Sequence, residues 1–210
     1  KKKKTRIAET PRKKCTGIGQ RDTNTRGKII MYDIIYADPP WDYKGQKQHA
    51  GASGPTTGGA IAHYPTMVLK ELKQLPIANL CNDNALLFMW TSSPHLDQAI
   101  DLMAAWGFKY VTVAFVWDKM RVNPGYYTMS QYELVILGKR GKIPTPRGAR
   151  NVRQYVQQKR GRHSAKPNEV RNRIVAMFPT QNKLELFARV KTEGWATWGN
   201  EVKNDIEVIK

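Results

Sequence analysis

Four consecutive residues, Asp38, Pro39, Pro40 and Trp41, carry groups suited to methylating an amino nitrogen on an aromatic ring. The lone pair of such a nitrogen is delocalised into the ring, so it is a poor nucleophile until acceptors hold its hydrogens. The Asp38 carboxylate is one acceptor, and the rigid proline φ fixes the Pro39 carbonyl as a second. The face of Trp41 can stack on an extruded base, which contributes about 1–3 kcal/mol. The segment therefore favours methylation of adenine N6 by positioning alone; the structural alternative is a turn that merely ends a strand.

A predicted buried strand at residues 29–37 places this segment, because the two prolines that follow cannot continue a strand ladder. Ligands of open α/β sheets bind beyond the carboxyl ends of strands, which is where Asp38 would stand. Strands alternate with helices along the chain, and this order predicts an α/β fold with a mostly parallel sheet. The other predicted strands span 85–90, 110–117, 133–137, 183–190 and 195–198, and helices begin near residues 66, 94 and 167.

The net charge of +18 is concentrated in two blocks. Residues 1–28 carry eleven Lys and Arg against two acidic residues, and residues 139–173 carry twelve against one. Such blocks attract phosphate backbones, so nucleic acid is the predicted partner; a merely basic surface is the alternative. We predict a basic flexible arm at 1–27 and a single domain at 28–205, in which 139–163 is a basic, loop-rich segment that binds the substrate.

Several classes of protein and site find no support in the sequence. No run approaches the roughly 18 apolar residues of a membrane helix, so no membrane partner is expected, and no secretory signal is visible. The two cysteines and four histidines lack the spacing of a zinc site, so no metal is expected. A base deaminase would require a His-x-Glu and a Pro-Cys-x-x-Cys signature, and neither is present.

At these residues the chain resembles the adenine-N6 methyltransferase family typified by the catalytic subunit of the eukaryotic messenger-RNA methyltransferase. Its bacterial and phage DNA branch is the more similar one, and the resemblance covers most of residues 29–202. It is carried, in family order, by YDIIYADPPWDY (32–43), HYPTM (63–67), LFMWTSSPHLDQAIDLMAAWGFKYVTVAFVWDK (87–119), GYYTMSQYELVILGKRG (125–141), HSAKP (163–167), KLELFAR (183–189) and GWATWGNE (194–201). The resemblance implies a Rossmann-like methyltransferase fold in permuted order, with the catalytic motif first and the cofactor motif last.

The resemblance also implies S-adenosylmethionine as the cofactor. Lys166 would contact its carboxylate, Asp38 would lie near its methionine part and Arg189 would bind the ribose side. Core packing of Phe187 and surface positions for the two cations are the alternatives. The complete set of cofactor-binding candidates is Asp38, Lys166, Phe187, Arg189, Asn200 and Glu201.

Chemistry on a base requires an unpaired or flipped nucleotide. Two segments are expected to wall the target adenine: residues 43–64, whose glycines would allow closure, and residues 121–131. The basic segment would hold the nucleic-acid backbone. The substrate-binding candidates are Trp41, Tyr43, His63, Tyr64, Tyr126, Tyr127, Glu133, Lys139, Arg140, Arg147, Arg150 and Arg153.

Three functions are compatible with the sequence. Two are methyltransferases that differ in their substrate, and the third is a protein without catalytic activity. DNA is favoured by the phage-like resemblance and RNA is the runner-up. A non-catalytic nucleic-acid-binding subunit is the third reading, although such subunits usually lose the Asp-Pro-Pro-Trp segment that this chain keeps. A homodimer or a methyltransferase-like partner is a further expectation. The expected location is the cytoplasm, with the nucleoid, for a bacterial or phage protein, and the nucleus for a eukaryotic one.

Overall fold

A mixed seven-stranded sheet forms the centre of the computed structural model, which describes residues 20–21, 29–41, 66–125, 127–161 and 165–207. The strands are β1 (Gln20–Arg21), β2 (Ile29–Ile30), β3 (Tyr32–Ala37), β4 (Cys81–Thr91), β5 (Lys109–Asn123), β6 (Ser130–Arg140), β7 (Tyr155–Gln157), β8 (Lys183–Leu186) and β9 (Ala196–Trp198). The helices are α1 (Leu69–Gln74), α2 (Leu96–Ala105) and α3 (Asn168–Met177). Short 3₁₀ turns at Ile77–Leu80 and Ser93–His95 precede β4 and α2.

The order of strands in the main sheet is β7-β5-β6-β4-β3-β8-β9, and β1 pairs with β2 in a separate small ribbon. Strand β6 runs antiparallel to both of its neighbours, while the other four pairings are parallel. The short 124–129 connection explains the exception, because a connection of this length can join only antiparallel strands. The predicted α/β fold is confirmed, with a sheet that is mixed rather than uniformly parallel.

Both faces of the sheet are buried, and alternate residues of β3 show it. Ile35 and Ala37 face a cluster with α1 and α2, where Trp106 is fully buried. Ile34 and Tyr36 face the opposite cluster with α3. Side chains on a strand point alternately to its two faces, so the apolar run of β3 is what a central strand covered on both sides requires.

Several predicted boundaries differ from the structure; β4 and β6, for example, are longer at both ends than the predicted strands 85–90 and 133–137. Strand β8 ends at Leu186 rather than at residue 190, because Phe187 takes a positive φ of 60° that no strand accommodates. Strand β5 continues to Asn123 and β6 begins at Ser130, so only 124–129 of the segment 121–131 lies between the strands. The basic segment contains the strand β7, which the sequence did not indicate.

Apart from Gln20–Arg21, the predicted arm at 1–27 lies outside the described residues, as does the whole segment 43–64 that was expected to wall the adenine. None of the helices in the described ranges is long and apolar enough to cross a bilayer.

Candidate active site

The candidate site is a cavity of about 340 Å³ at the edge of the sheet where β3 and β4 end. Asp38 enters it because it directly follows the last residue of β3, and Thr91 enters it at the end of β4. Every residue predicted to be catalytic or cofactor-binding lines this one cavity. Its lining is Asp38, Pro39, Pro40, Trp41, Met67, Trp90, Thr91, Ser92, Glu133, Lys166, Phe187, Ala188, Arg189, Trp198, Gly199, Asn200 and Glu201.

Backbone hydrogen bonds fix the turn that holds the Asp-Pro-Pro-Trp segment. The Trp41 amide donates to the Pro39 carbonyl at 2.8 Å, and the Met67 amide donates to the Pro40 carbonyl at 3.0 Å. A carbonyl oxygen has two lone pairs, so Pro39 keeps one acceptor position for another donor. The turn is thus held on both sides, by proline geometry and by the bridge between Trp41 and Met67.

Trp41 is more enclosed than its predicted role suggested, with 5% of its surface exposed. Its indole nitrogen donates to the Trp90 carbonyl at 3.3 Å. One face of the ring stacks on His95, with the centroids 5.9 Å apart and the planes 24° apart. His95 is in turn 2.9 Å from Ser92 Oγ through its Nδ1. Trp41 is therefore a rigid wall, and a base can approach only the part of the ring that His95 leaves uncovered.

A chain of alternating charges runs along one side of the cavity. The Lys166 ammonium lies 3.0 Å from Asp38 and 3.3 Å from Glu133, and the Lys119 ammonium lies 3.4 Å from Glu133. Burial acts to raise the pKa of Glu133, but the two ammonium groups outweigh it and hold that pKa below its usual value. Glu133 is thus a carboxylate at neutral pH, and it shares the Lys166 ammonium with Asp38.

The other side of the cavity is built from residues that follow β8 and β9. Phe187 stacks on Trp106 and meets the edge of Trp198, with centroid distances of 6.5 Å and 5.4 Å. The positive φ of Phe187 turns the chain out of the strand, so that Arg189 reaches the cavity and pairs with Glu201 at 3.8 Å. This side offers an aromatic surface beside one cation and one carboxylate.

Gly199 allows the two segments of that side to approach each other. A Cβ at this position would lie 2.1 Å from the Ala188 carbonyl oxygen, so no other residue fits without movement of the backbone. Asn204 accepts the Gly199 amide at 2.8 Å, and Asp205 accepts the Thr197 amide at 3.0 Å. These bonds hold the turn that carries Asn200 and Glu201 against the cavity.

The basic residues at the start of the 139–163 segment lie away from the cavity. Because β6 runs antiparallel, Arg140 pairs with Ala85 at the start of β4, six residues or about 20 Å from Thr91. The Arg140 guanidinium donates to the Ala78 carbonyl at 2.6 Å, and Lys139 is exposed on the same edge. Both residues therefore lie outside the cavity lining, and their contact with the nucleic-acid backbone stays a prediction.

Arg147 also serves the fold rather than the cavity, since its guanidinium packs 5.7 Å from the Phe178 ring centre at the end of α3. Arg150 and Arg153 are exposed on the way to β7. Tyr127 is fully exposed at the tip of the β5–β6 hairpin. The remaining substrate-binding candidates, Tyr43, His63, Tyr64 and Tyr126, lie outside the described residues.

The structure brings three further cations to the cavity edge of the sheet; two of them, Lys159 and Arg160, belong to the predicted basic segment 139–163, and the third, Lys119, was not predicted. Strand β7 runs towards this edge, and the Trp117 indole and the Asp118 carbonyl hold Gln158 there. Lys159 and Arg160 follow and are exposed. Lys119 was missed because its partner, Glu133, lies on the next strand, and the register of the two strands could not be read from the sequence.

Two observations bear on other chemistry. Within the described ranges, no three His, Cys, Asp or Glu side chains are grouped so that they could hold a metal ion. Cys81 is buried, its thiol donates to the Ile77 carbonyl, and burial raises its pKa to about 12. It is therefore held as a thiol rather than a nucleophile.

Comparison with known proteins links these residues to one family. The family model described as MT-A70 matches residues 32–201. The type II methyltransferase M.MunI of a Mycoplasma species is 50% identical over 188 residues, which are 84% of this chain and 81% of that protein.

More distant relatives share the same region. The N(6)-adenine-specific methyltransferase METTL4 of Mus musculus is 28% identical over 191 residues, 81% of this chain and 37% of that protein. The N6-methyladenosine RNA methyltransferase MTA1 of Pyricularia oryzae is 26% identical over 190 residues, 81% of this chain and 47% of that protein. This chain thus spans less than half the length of these two relatives. The resemblance predicted from the sequence is confirmed, and the chain belongs to the MT-A70 family.

Proposed function

We propose that this chain transfers a methyl group from S-adenosylmethionine to N6 of adenine in DNA. The observation that carries the proposal is the meeting, in one cavity, of the Asp-Pro-Pro-Trp segment with Lys166 and the residues after β8 and β9. The order of these parts along the chain supports a permuted methyltransferase, since the catalytic segment follows β3 and most of the cofactor side follows β8.

The cavity fits the proposed cofactor in size and in donor set. Pockets for ligands of this size range upward from about 300 Å³, and this cavity has about 340 Å³. Lys166 and Asp38 match the charges of an amino-acid group, Glu201 matches ribose hydroxyls and Phe187 offers a face to adenine. Lys166 can serve the cofactor while paired with Asp38 and Glu133, because an ammonium has three donors. When bound, S-adenosylmethionine would supply the electrophilic sulfonium methyl group.

Asp38 and Pro39 would activate the amine. The Asp38 carboxylate and the free lone pair of the Pro39 carbonyl accept the two N6 hydrogens, which draws the nitrogen towards a tetrahedral geometry. Trp41 walls the adenine, and its stack on His95 keeps it from swinging aside. After transfer the extra proton leaves to solvent or to the Asp38 carboxylate. These residues act by orientation and hydrogen bonding. When the reacting atoms are aligned, these two effects can supply much of the reduction in the activation barrier for methyl transfer.

The choice of DNA rests on the 50% likeness to a type II methyltransferase. The likeness to an RNA methyltransferase at 26% makes RNA the second candidate. The charge of +18 suits either polymer, because phosphate attraction does not depend on the sugar.

Labelled methyl transfer to matched single-stranded DNA, double-stranded DNA and RNA, with nucleoside analysis of the products, tests the proposal. N6-methyladenine in DNA, absent with Asp38→Ala, is the expected result. Product in RNA alone would move the assignment to the second candidate. No product together with no binding of S-adenosylmethionine would leave a non-catalytic subunit as the function.

A further inference from the structure

The chain doubles back on itself directly after the cavity residues Asn200 and Glu201. The Asp205 amide donates to the Thr197 carbonyl at 2.9 Å, which brings the end of this excursion back to β9. The residues between these two form a closed turn (residues 198–204). Asn200 and Glu201 line the cavity from this turn, and both are exposed. Their position therefore depends on what closes the turn.

The Asp205 carboxylate closes the turn by accepting hydrogen bonds from three donors. One of its oxygens accepts from the Thr197 backbone amide and from the Thr197 hydroxyl, both at 3.0 Å. The other oxygen accepts from the Lys191 ammonium at 2.6 Å. Partial burial acts to raise the pKa of Asp205, but the hydrogen bonds from Lys191 and Thr197 outweigh it and lower that pKa. Asp205 is therefore a carboxylate at neutral pH, and the buried Ile206 beside it anchors the end of the turn.

The same carboxylate joins the two segments that carry the proposed contacts to the ribose and adenine of the cofactor. Lys191 follows Arg189 by two residues on the segment after β8, and Thr197 precedes Asn200 by three on the segment that contains β9. Asp205 itself lies outside the cavity lining. Because Lys191 is 59% exposed and exposed ion pairs contribute little, the bonds to Thr197 are the stronger part of this link.

The bonds to Thr197 cannot be replaced by water without movement of the chain. Thr197 is fully buried, so removal of the Asp205 carboxylate would leave a buried amide and a buried hydroxyl without their acceptor. The opposite end of the turn, where the Gly199 amide donates to Asn204, would then have to hold the whole turn. A turn that must become ordered on binding loses conformational entropy at that moment, and the affinity for the ligand falls.

We propose that Asp205 is a positioning residue for the nucleoside half of S-adenosylmethionine. It orders the turn that carries Asn200 and Glu201 and holds the segment that carries Arg189. The inference rests on the proposed function, and it adds a determinant of cofactor affinity that lies outside the cavity. Lys166 serves the amino-acid half of the cofactor on the other side, so loss of the Asp205 carboxylate should affect the nucleoside half alone.

The test compares two ligands on the full chain. One is S-adenosylmethionine, and the other is methylthioadenosine, which contains the nucleoside and lacks the amino-acid group. Asp205→Ala removes the carboxylate, and Asp205→Asn keeps one oxygen that can accept from Thr197. Asp101→Ala is the matched control, because Asp101 also pairs with a lysine, Lys73, on an exposed surface. Isothermal titration calorimetry gives each affinity.

Asp205→Ala is expected to weaken the binding of both ligands by the same factor, about tenfold, and Asp205→Asn should recover part of the loss. Lys166→Met should weaken the binding of S-adenosylmethionine and leave that of methylthioadenosine unchanged. Asp101→Ala should match wild type with both ligands. Unchanged affinities in Asp205→Ala, or a loss restricted to S-adenosylmethionine, would overturn the inference.

Hydrogen exchange of the ligand-free proteins gives a readout that requires neither binding nor catalysis. The amides of residues 197–205 should exchange about tenfold faster in Asp205→Ala than in wild type, while those of β3 and β4 exchange at the wild-type rate. Equal exchange over residues 197–205 would show that Asp205 does not order the turn. Faster exchange over the whole chain would show a general loss of stability, and this result would also overturn the inference.

Steady-state methylation separates the inference from the proposed function. Asp205→Ala should raise KM for S-adenosylmethionine about tenfold and leave kcat and the KM for nucleic acid within about twofold of wild type. An active wild-type enzyme whose Asp205→Ala variant has an unchanged KM for the cofactor would overturn the inference alone. A wild-type protein that binds neither ligand and methylates no nucleic acid would overturn the proposed function and the inference with it.

Discussion

The Lys166 ammonium lies 3.0 Å from the Asp38 carboxylate, so the proposed amine acceptor and a proposed cofactor contact form one ion pair. Both side chains are largely buried, with 15% and 25% of their surface exposed. Glu133 shares the same ammonium at 3.3 Å. Glu133 on β6 and Lys166 in the segment before α3 therefore help to position Asp38. A substitution at either residue should change how the Asp38 carboxylate holds the reacting nitrogen.

Asp38 is expected to act as a hydrogen-bond acceptor. Asp38→Ala removes the acceptor and should lower the rate of methyl transfer by about a hundredfold or more. Asp38→Asn keeps one acceptor oxygen and should retain part of the activity. Single-turnover transfer to the preferred oligonucleotide measures both, with Asp83→Asn, at the opposite edge of the sheet, as the control. Near-normal turnover of Asp38→Ala would remove this residue from the chemistry.

Lys166 is expected to contribute to cofactor affinity. Lys166→Met should weaken S-adenosylmethionine binding about tenfold to a hundredfold, since charge-assisted hydrogen bonds contribute about 1.5–3 kcal/mol. Lys166→Arg should restore part of the affinity. Isothermal titration calorimetry measures the change, and Lys142→Met on the exposed surface is the matched control. Unchanged affinity in Lys166→Met would leave this lysine with a role at Asp38 alone.

The two ends of the basic segment are expected to differ in DNA binding. Lys159→Ala with Arg160→Ala should reduce the slope of log affinity against log salt by about 1.8, as expected for the loss of two phosphate contacts. Lys139→Ala with Lys142→Ala removes the same charge from the opposite edge and should change the slope little. Fluorescence anisotropy over a salt series gives both slopes. Equal slopes for the two double variants would contradict the expected difference between the two ends of the basic segment.

Glu185 is expected to make stability depend on pH. Burial, with a smaller effect from Asp38, raises its pKa from 4.5 to about 7 despite the Arg171 guanidinium 3.4 Å away. A carboxyl whose folded pKa is raised favours the folded state below its unfolded pKa and loses that contribution as the pH rises. The free energy of unfolding should therefore fall between about pH 4.5 and 7, by about 3 kcal/mol.

Urea denaturation of wild type and Glu185→Gln from pH 4.5 to 8 isolates this contribution, because the difference between the two proteins cancels other titrating groups. The difference should change across this range and be level above pH 7 to 8. Glu169→Gln, exposed on α3, should show no such trend. A constant difference for Glu185→Gln would show that the carboxyl titrates alike in both states.

The sequence predicted the parts of the site whose position depends on local order. Asp38 was placed at the sheet edge because an apolar strand and two prolines define where β3 stops. Phe187 and Arg189 line the cavity, but the predicted strand was extended over them, since nothing in the residue types signals the positive φ of Phe187.

The sequence did not specify where its segments run in space. Residues 139–163 look like one basic patch in the sequence, yet the antiparallel course of β6 sends Lys139 and Arg140 to one edge, and β7 brings Lys159 and Arg160 to the other. The contact between Lys119 and Glu133 depends on strand pairing across a hairpin, which composition does not specify. The missed strand β7 is three residues long, below the length at which alternation can be recognised.

The pairing of β3 with β8 determines at which stage of synthesis the cavity can be completed. The Asp33 carboxylate accepts the backbone amide of Asn182, a residue 149 positions later, and Ile34 pairs with Lys183 next to it. The half of the site after β3 is made early during translation and the half after β8 is made late. Closing so long a loop is slow, because its entropy is lost before the strand contacts form. A nascent chain that lacks β8 and β9 therefore has the complete Asp-Pro-Pro-Trp segment but only part of the cavity lining, and the cavity is complete only after synthesis has passed residue 201.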